Sequence, residues 1–307
     1  MKACIDIGGT KVAVSLNTGA GLDLVARRAE PTAKTGSHEA LAQQVIRMVD
    51  EACAETGIDP SAVQRAGVSS AGPFVLRGGL VELASPNICG GLAGPERGLP
   101  NEWMTALLEA PLRHRFAEVR VENDCVAALE AERRWGALQG YEHCAYVTWS
   151  TGVGVGLCVD GRVLRGKNGN AGHAGHMFVS DNADALCGCG NVGDVEALVA
   201  GNAVARRFGA DAATLMQRAK GGDPAAADTV QELCRVMGRA LYNLVATLDL
   251  QRISLGGSVF WHNQAYLLPR LSAEVHGKFP ALTAGSDLVP AGLADRVGDY
   301  AALALLM

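Results

Sequence analysis

Short apolar segments and glycine-rich turns alternate with longer stretches of helical periodicity along the chain. Residues 3–7 and 12–16 are apolar and flank Gly8 and Gly9, which predicts two strands joined by a hairpin turn. Residues 38–55 repeat apolar side chains at helical spacing, and Gly57 ends this pattern. Such segments, separated by tight glycine turns, are typical of an α/β enzyme.

The same patterns predict the remaining elements. Apolar segments bounded by turn residues predict strands at 22–28, 65–69, 80–83, 119–122, 144–149, 155–159 and 252–255. Helical periodicity predicts helices at 102–110, 125–135, 195–208, 266–276 and 298–306, and another that begins at Asp223-Pro224. Residues 88–100 are rich in glycine and proline, so we expect a loop. Glycine turns near residues 8 and 152 hint at a duplicated plan, but their sequences match too weakly to establish a repeat.

The length of 307 residues exceeds the usual size of one domain. We expect a small α/β domain formed by residues 1–122 together with a C-terminal helix at about 295–307. Residues 123–294 are expected to form a large α/β domain. Hydrophobic residues make up 49% of the chain, which is enough for a substantial core.

Composition narrows the possible partners and the compartment. The net charge is -5 and no basic block stands out, so we expect no nucleic-acid partner. No apolar run approaches the roughly 18 residues of a membrane span, and the N-terminus does not resemble a signal peptide, so we expect no membrane partner. The nine cysteines are scattered through apolar segments and odd in number, which favours a cytoplasmic protein.

Three glycine turns follow apolar segments, at residues 6–11, 150–154 and 255–258. Small residues at such turns let backbone N–H groups approach an anion, and Asp6 beside the first turn can hold Mg²⁺ or its water shell. One turn alone is equally well explained as an ordinary hairpin. Three turns, all at strand ends, predict a nucleotide site between two domains.

Asn123 and Asp124 lie where a predicted strand ends and a helix begins. Asp124 has two interpretations. It can cap the helix, or it can take a proton from an alcohol that attacks phosphorus. The three phosphate-type turns favour the second interpretation.

Residues 171–196 concentrate imidazoles, thiols and carboxylates among glycines. The spacing His176-x10-Cys187-x-Cys189-x4-Asp194 suits a tetrahedral zinc site, although two reduced cysteines in a loop are the alternative. A carboxylate is a harder ligand than a thiolate, so a weaker or empty site is also consistent with the sequence. His173 and Glu196 are not needed by four ligands, which leaves them free to hydrogen-bond a polyol.

These motifs together resemble the ROK family, named for repressors, open reading frames and sugar kinases. The resemblance runs from residue 3 to the C-terminus, with motifs in family order: DIGGTK at 6–11, SAGP at 70–73, PN at 86–87, END at 122–124, STGVG at 150–154, GNAGHAGH at 169–176, CGCGNVGDVE at 187–196 and LGGS at 255–258. It implies an actin-like, RNase H-like fold of two α/β domains with the active-site cleft between them. It also implies ATP with Mg²⁺, a sugar hydroxyl as phosphoryl acceptor, and a homodimer.

The resemblance assigns roles to individual positions. Asp124 matches the catalytic base. The positions that match or adjoin sugar contacts are Gly72, Asn87, Asn123, His173, His176 and Glu196. The positions at the phosphate turns are Asp6, Gly8, Gly9, Thr10, Lys11, Thr151 and Gly152, and those on the adenosine side are Gly256 and Gly257. His176, Cys187 and Cys189 match zinc ligands, and Asp194 stands where the family usually has a third cysteine.

Position 173 narrows the expected substrate. Family glucokinases usually have glutamate in an AGExGH pattern, whereas His173 gives the AGHxGH form that resembles bacterial N-acetylmannosamine kinases. We therefore expect phosphorylation of a hexose or N-acylhexosamine at the 6-hydroxyl, with N-acetylmannosamine first and glucose, another hexose or a cyclitol as alternatives. Two other classes are a sugar-responsive repressor and a non-catalytic sugar-binding protein. The first is disfavoured because the phosphate strand begins at residue 3, and the second because Asp124 and all three turns are intact.

Overall fold

The computed structural model describes residues 1–19, 21–94, 97–181 and 184–307. The chain forms two compact units. The first contains Met1–Ala131, Arg165–Ala171 and Arg296–Met307, and the second contains Glu132–Leu164 and Gly172–Asp295. Residues 123–131 and 165–171, which the sequence assigns to the large domain, therefore lie in the first unit. None of the helices in the described ranges has the length and apolar character needed to cross a membrane.

The elements of the described residues are as follows. The strands are β1 (Lys2–Ile7), β2 (Lys11–Asn17), β3 (Val25–Pro31), β4 (Arg65–Ser70), β5 (Phe74–Arg77), β6 (Leu80–Leu83), β7 (Ala106–Leu107), β8 (Glu118–Asn123), β9 (Cys144–Trp149), β10 (Val153–Val159), β11 (Arg162–Val163), β12 (Arg252–Gly256) and β13 (Asp287–Pro290). The helices are α1 (Ala40–Thr56), α2 (Gly90–Ala93), α3 (Glu109–Arg115), α4 (Asp124–Trp135), α5 (Val195–Val199), α6 (Gly201–Phe208), α7 (Ala212–Lys220), α8 (Pro224–Leu248), α9 (Ser258–Trp261), α10 (Gln264–His276), α11 (Pro280–Thr283) and α12 (Val297–Ala304).

A five-stranded mixed sheet forms the centre of the first unit, in the order β3-β2-β1-β4-β8. The first three strands are antiparallel, whereas β4 and β8 run parallel to β1. Helix α1 buries its apolar face, including Leu41, Val45 and Met48, in the core of this unit, and Gly57 ends the helix in a left-handed conformation. A small antiparallel sheet, β5-β6-β7, accompanies the main sheet.

The second unit repeats this topology with different side chains. Its sheet has the order β11-β10-β9-β12-β13, with β9, β10 and β11 antiparallel and with β12 and β13 parallel to β9. When the strands are numbered in chain order within each five-stranded sheet, both sheets have the strand order 3-2-1-4-5. The duplicated plan that the two glycine turns hint at is therefore present in the topology.

Helix α8 is the longest helix of the second unit among the described residues and begins where the sequence predicts. The Asp223 carboxylate accepts hydrogen bonds from the N–H groups of Ala225 and Ala226, while Pro224 occupies the first turn, where its missing N–H costs nothing. The apolar face of this helix, which includes Val230 and Leu241, lies in the core of the second unit.

Three predicted elements differ in kind from the structure, and the strand predicted at 22–28 lies three residues later, as β3. The predicted helix at 102–110 is wrong, because Ala106–Leu107 pairs with the edge of β6 and the helix begins only at Glu109. The predicted helix at 195–208 is two helices, since Ala200 is extended between α5 and α6. The predicted loop at 88–100 contains the short helix α2, and its residues 95 and 96 lie outside the described residues.

Candidate active site

The carboxyl ends of three parallel strands bring several predicted site residues of the first unit together. In the register of β1, β4 and β8, Asp6 lies opposite Ser69, which lies opposite Glu122. Asp124 follows the last residue of β8 and begins α4. Because ligands of α/β sheets bind at the carboxyl ends of strands, this edge is the expected place for chemistry.

Asp6 is a half-buried carboxylate in an electrostatically unfavourable position. The pKa of Asp6 is raised to about 6, first by burial and then by the nearby Asp124 carboxylate, while the charge of Lys11 offsets part of this rise. Ser69 Oγ donates a 3.4 Å hydrogen bond to Asp6 Oδ1. A divalent cation would relieve the repulsion between the two carboxylates, and oxygen ligands are those that Mg²⁺ prefers, so the residues fit the predicted cation.

Asn123 takes the capping role that the sequence leaves open for Asp124. Asn123 Oδ1 accepts a 3.0 Å hydrogen bond from the N–H of Cys125, two residues further on, as an N-cap side chain does. Asp124 Oδ1 accepts from the same N–H at 2.8 Å. The start of α4 therefore has a cap other than Asp124, and the Asp124 carboxylate is held by a backbone contact at the first turn.

The first glycine turn lies against Asn87. The N–H of Gly8 donates to the carbonyl oxygen of Lys11 at 2.8 Å, which closes the turn. A Cβ atom placed on Gly9 would lie 2.8 Å from Asn87 Cβ, so only glycine allows this approach. Arg97 Nη1 donates a 2.6 Å hydrogen bond to Asn87 Oδ1. The remaining positions predicted around this turn are Thr10 and Lys11, which are exposed, and Gly72, which is half-buried after β4.

The second and third glycine turns are neighbours in the second unit. Strands β9 and β12 pair in parallel, with Gly256 opposite Thr148. Ser150 Oγ and Ser258 Oγ lie 2.9 Å apart, which links the turn that carries Thr151 and Gly152 to the turn that carries Gly256 and Gly257. The predicted phosphate and adenosine positions of this unit therefore lie side by side.

Glu196 projects from α5 onto the second glycine turn. Its Oε2 accepts a 3.0 Å hydrogen bond from the N–H of Val153, the first residue of β10. Its Oε1 lies 3.9 Å from Cys187 Sγ. The carboxylate predicted to contact a polyol is thus also in contact with the phosphate-type turn.

Four potential metal ligands lie close together in the second unit: His176, Cys187, Cys189 and Asp194. One potential ligand atom of each residue lies within 4.8 Å of those of the other three, so we describe them as a candidate metal centre. His176 Nδ1 is 3.0 Å from Asp194 Oδ2, 3.5 Å from Cys189 Sγ and 3.8 Å from Cys187 Sγ. A tetrahedral zinc site has ligand separations of about 3.3 Å for bonds of 2.0 Å and about 3.8 Å for bonds of 2.3 Å. The donor set and its spacing therefore fit zinc.

Asp194 belongs to the backbone structure as well as to this cluster. It is fully buried, and its Oδ1 caps α5 by accepting a 2.7 Å hydrogen bond from the N–H of Ala197. Burial raises the pKa of the Cys187 thiol, so a cation would be needed to hold this side chain as a thiolate. His173 lies beside the cluster, with its ring centroid 6.3 Å from that of His176. Residues 182 and 183 of this loop lie outside the described residues.

Ser69 and Arg97 contact predicted site residues but belong to no motif. Ser258 is the last residue of the LGGS motif and contacts Ser150 of the STGVG motif, although the sequence assigns no role to either serine. Ser69 directly precedes the SAGP motif, so proximity to a motif was the available signal. Arg97 lies in the predicted loop at 88–100, where nothing in the sequence singles it out.

Comparison with known proteins gives consistent matches along the chain. The model of the ROK family matches residues 2–307. An N-acetylmannosamine kinase from Escherichia coli O139:H28 is 34% identical and aligns over 83% of this chain and 82% of that protein. A glucokinase from Aeropyrum pernix is 28% identical over 98% of this chain and 95% of that protein. The crystal structure of a ROK hexokinase from Thermus thermophilus gives a TM-score of 0.74 with 30% identity, covering 98% of this chain and 96% of that one.

Proposed function

Since this chain belongs to the ROK family and is an ATP-dependent sugar kinase, we propose that it transfers the γ-phosphoryl group of ATP to the 6-hydroxyl of N-acetylmannosamine. The predicted actin-like class of fold is confirmed by the two α/β units and by the matching hexokinase structure. The alternative acceptors are glucose, another hexose or a cyclitol.

The position of Asp124 is the observation that supports this chemistry most directly. It follows β8, near enough to Asp6 to raise the pKa of that residue, while Asn123 caps α4. We assign Asp124 as the base that takes the proton of the sugar 6-hydroxyl while the hydroxyl oxygen attacks the γ-phosphorus and ADP leaves. A positioned base of this kind is the group that phosphoryl transfer to an alcohol requires.

The glycine turns are assigned to the nucleotide. We assign phosphate oxygens to the backbone N–H groups of Gly9 and Thr10 in the first unit and of Thr151 and Gly152 in the second. Gly8 belongs to the same site because its N–H closes the first turn by bonding the carbonyl oxygen of Lys11. Asp6 and Lys11 serve the same end of ATP, with Asp6 holding Mg²⁺ or its water shell. Bound Mg²⁺ supplies positive charge that offsets the charge of the phosphates. Gly256 and Gly257 are assigned to the adenosine.

The sugar is assigned to groups that together supply hydrogen-bond donors and acceptors, namely the backbone of Gly72 and the side chains of Asn87, Asn123, His173, His176 and Glu196. The contacts of His176 within the metal cluster all use Nδ1, and Nε2 on the other side of the ring is the atom we assign to the sugar. His173 supports an N-acylhexosamine, because an imidazole can donate a hydrogen bond where a carboxylate only accepts. The N-acetylmannosamine kinase relative, at 34% identity, supports the same substrate.

Zinc is proposed to be structural. His176, Cys187, Cys189 and Asp194 would hold it, and the bound ion would fix the loop that carries His176. Zinc takes no part in phosphoryl transfer in this proposal, which assigns that reaction to Asp124 and to the residues that bind ATP. We also propose a cytoplasmic homodimer, as the family resemblance implies, and the molar mass measured by light scattering tests the dimer.

The decisive experiment measures ADP release with ATP and a panel of sugars: N-acetylmannosamine, N-acetylglucosamine, glucose, mannose and inositol. We expect the highest kcat/KM with N-acetylmannosamine, and a product with phosphate on C6 by ³¹P–¹H NMR. The Asp124→Asn substitution should lower kcat by a factor of about 10²–10⁴, while the Kd for the sugar should change by less than about threefold. Near-normal turnover of this variant would remove Asp124 as the base.

Glucose is the second candidate because the glucokinase relative aligns over 98% of this chain. A higher kcat/KM for glucose than for N-acetylmannosamine would show that glucose, and not N-acetylmannosamine, is the preferred acceptor. Absence of sugar-stimulated ADP release across the panel would contradict both substrates.

A further inference from the structure

We infer that Glu196 is a positioning residue for the phosphate-binding turn of residues 150–153, and that it sets nucleotide affinity even when no sugar is bound. This inference rests on the proposed function, which assigns Thr151 and Gly152 to ATP phosphates. It adds a second task to a carboxylate otherwise assigned to the sugar.

Glu196 contacts the turn directly at Gly152 and at Val153. Glu196 Oε2 accepts the 3.0 Å hydrogen bond from the N–H of Val153. A Cβ atom placed on Gly152 would lie 2.7 Å from the same oxygen. The carboxylate therefore packs against the backbone of the turn at van der Waals distance, and its position limits where that backbone can lie.

The segment that carries Glu196 is itself tied to the turn. Asp194 caps α5 from a fully buried position, which fixes the helix one residue before Glu196. Immediately after α5, the N–H of Gly201 donates to the carbonyl oxygen of Ser150 at 2.8 Å. The turn is therefore contacted by Glu196 within α5 and by Gly201 just after this helix, and these contacts restrain the Glu196 side chain.

This arrangement has a consequence for phosphate binding. A turn binds phosphate well when its N–H groups are already oriented, because ordering them on binding costs free energy. Removing the Glu196 side chain leaves the Val153 N–H without its acceptor and frees the turn. The negative charge of Glu196 has the opposite effect, since it repels phosphate. The two effects predict opposite shifts in nucleotide affinity and can be separated by substitution.

The test measures binding of AMP-PNP with Mg²⁺ by calorimetry in the full chain without sugar. Glu196→Ala should raise the Kd about tenfold, because a hydrogen bond to a charged group and the order of the turn are both lost. Glu196→Gln keeps an acceptor and should bind as well as the unmodified protein, or more tightly. Glu196→Asp keeps the charge and burial but is one methylene shorter, so it should weaken binding as Ala does, and it replaces the Ala variant if that one does not fold.

A control separates this effect from a general loss of negative charge. Asp228→Asn removes an exposed carboxylate from α8 of the same unit and should leave the AMP-PNP Kd unchanged. Because no sugar is present in the measurement, the loss of a sugar contact at Glu196 does not enter the comparison.

A double-mutant cycle with Gly152→Ala tests the contact itself. The alanine methyl must displace Glu196 in the otherwise unmodified protein, whereas in Glu196→Ala it finds room. Gly152→Ala should therefore weaken AMP-PNP binding much more in the presence of Glu196 than in its absence, so the two substitutions should have non-additive effects on the binding free energy. If their effects on the binding free energy are additive, the contact between Glu196 and Gly152 is contradicted.

The outcomes distinguish this inference from the proposed function. If the unmodified protein binds AMP-PNP and Glu196→Ala binds it equally well, the positioning role is wrong and the kinase assignment stands. If Glu196→Gln weakens binding as much as Glu196→Ala, charge rather than position is responsible and the inference is also wrong. If the unmodified protein binds no AMP-PNP, the proposed function itself is contradicted, and with it the inference that rests on it.

Discussion

Asn123 and Asp124 are adjacent in the sequence, and both side chains accept a hydrogen bond from the N–H of Cys125. The Asn123 carboxamide caps α4, so Asp124 is not needed as the cap. The motif alone identifies Asp124 as a candidate base, but it does not exclude a purely structural role. The capping bond of Asn123 weakens that alternative and strengthens the case for catalysis.

Asp6 provides a prediction about pH. Its pKa is raised to about 6 from 3.8, so the folded, metal-free protein is destabilised when Asp6 ionises. The protonated Asp6 carboxyl contributes its full stabilising effect below about pH 4, and this effect is lost as the pH rises through 6. The difference between the pKa values of the unfolded and folded states corresponds to roughly 3 kcal/mol. In EDTA, Asp6→Asn should therefore raise the free energy of unfolding by about 1–3 kcal/mol at pH 8 and by little at pH 4.

Urea denaturation at the two pH values measures this effect. Asp228→Asn is the control, because its carboxylate is exposed on α8 and should give no pH-dependent difference. An equal gain for Asp6→Asn at pH 4 and pH 8 would contradict the raised pKa.

His173 provides a prediction about specificity. If its imidazole donates to an N-acyl substituent, His173→Glu should lower kcat/KM for N-acetylmannosamine relative to glucose by about tenfold or more, since a lost hydrogen-bond partner strongly affects discrimination. The ratio is measured with the same ADP-release assay. His114→Glu makes the same substitution at an exposed position of α3 and should leave the ratio unchanged. An unchanged ratio in His173→Glu would show that this position does not select the sugar.

Residue identities could be predicted from the sequence better than their contacts. The spacing of His176, Cys187, Cys189 and Asp194 is sufficient to propose a metal site, and the structure brings all four together. The bond from Val153 to Glu196 spans 43 residues and depends on how α5 meets β10, which local patterns do not specify. The Ser69 contact likewise depends on strand register, which tertiary packing determines.

At the scale of elements, strongly periodic or tightly bounded segments were predicted correctly, such as α8 and the hairpin of β1 and β2. The segment at 102–110 was not, because pairing of β7 with β6 overrides its helical propensity. The short strands β5 and β13 and the helix α7 were not predicted, since short segments give little periodic signal.

The packing of α12 on β4 provides a paired prediction about stability. A Cβ atom at Gly67 would lie 2.1 Å from the carbonyl oxygen of Ala302, whereas one at Gly298 in α12 would meet nothing within 4 Å. Gly67→Ala should destabilise the protein by more than about 3 kcal/mol, because backbone must move. Gly298→Ala should be neutral or stabilise by up to about 1 kcal/mol, because alanine favours helix. Thermal melts compare them, and equal midpoints would show that α12 does not approach β4 this closely.

The loop that holds the candidate metal centre provides a prediction about zinc. Protein purified without chelator should contain about one zinc per chain by mass spectrometry. Removing zinc should lower the melting temperature, as loss of any ligand of the folded state does. Cys189→Ser should lower the zinc content, whereas Cys234→Ser, at a buried cysteine of α8, should not. Zinc-free protein with full activity would show that His176 serves the sugar without a metal.

At the scale of the molecule, two units share one topology although their sequences barely match. Each sheet consists of a three-stranded antiparallel meander followed by two parallel strands. Such an order depends on where apolar segments and turns fall, and many different side chains satisfy it. For this reason the repeat is visible in the structure and only hinted at by the two glycine turns in the sequence.

The first unit depends on the C-terminal segment of the chain. Residues Arg296–Met307 belong to it, and α12 buries Val297, Tyr300 and Leu303. A chain that ends at Asp295 therefore leaves the apolar surface of β1 and β4 exposed to water, while the second unit keeps its own core. Hydrogen exchange with mass spectrometry should show β1, β4 and β8 losing protection while β9, β10 and β12 retain it. Removal of Met307 alone, an exposed residue, is the control. Retained protection of β1 and β4 in the shortened chain would mean that the first unit folds without α12.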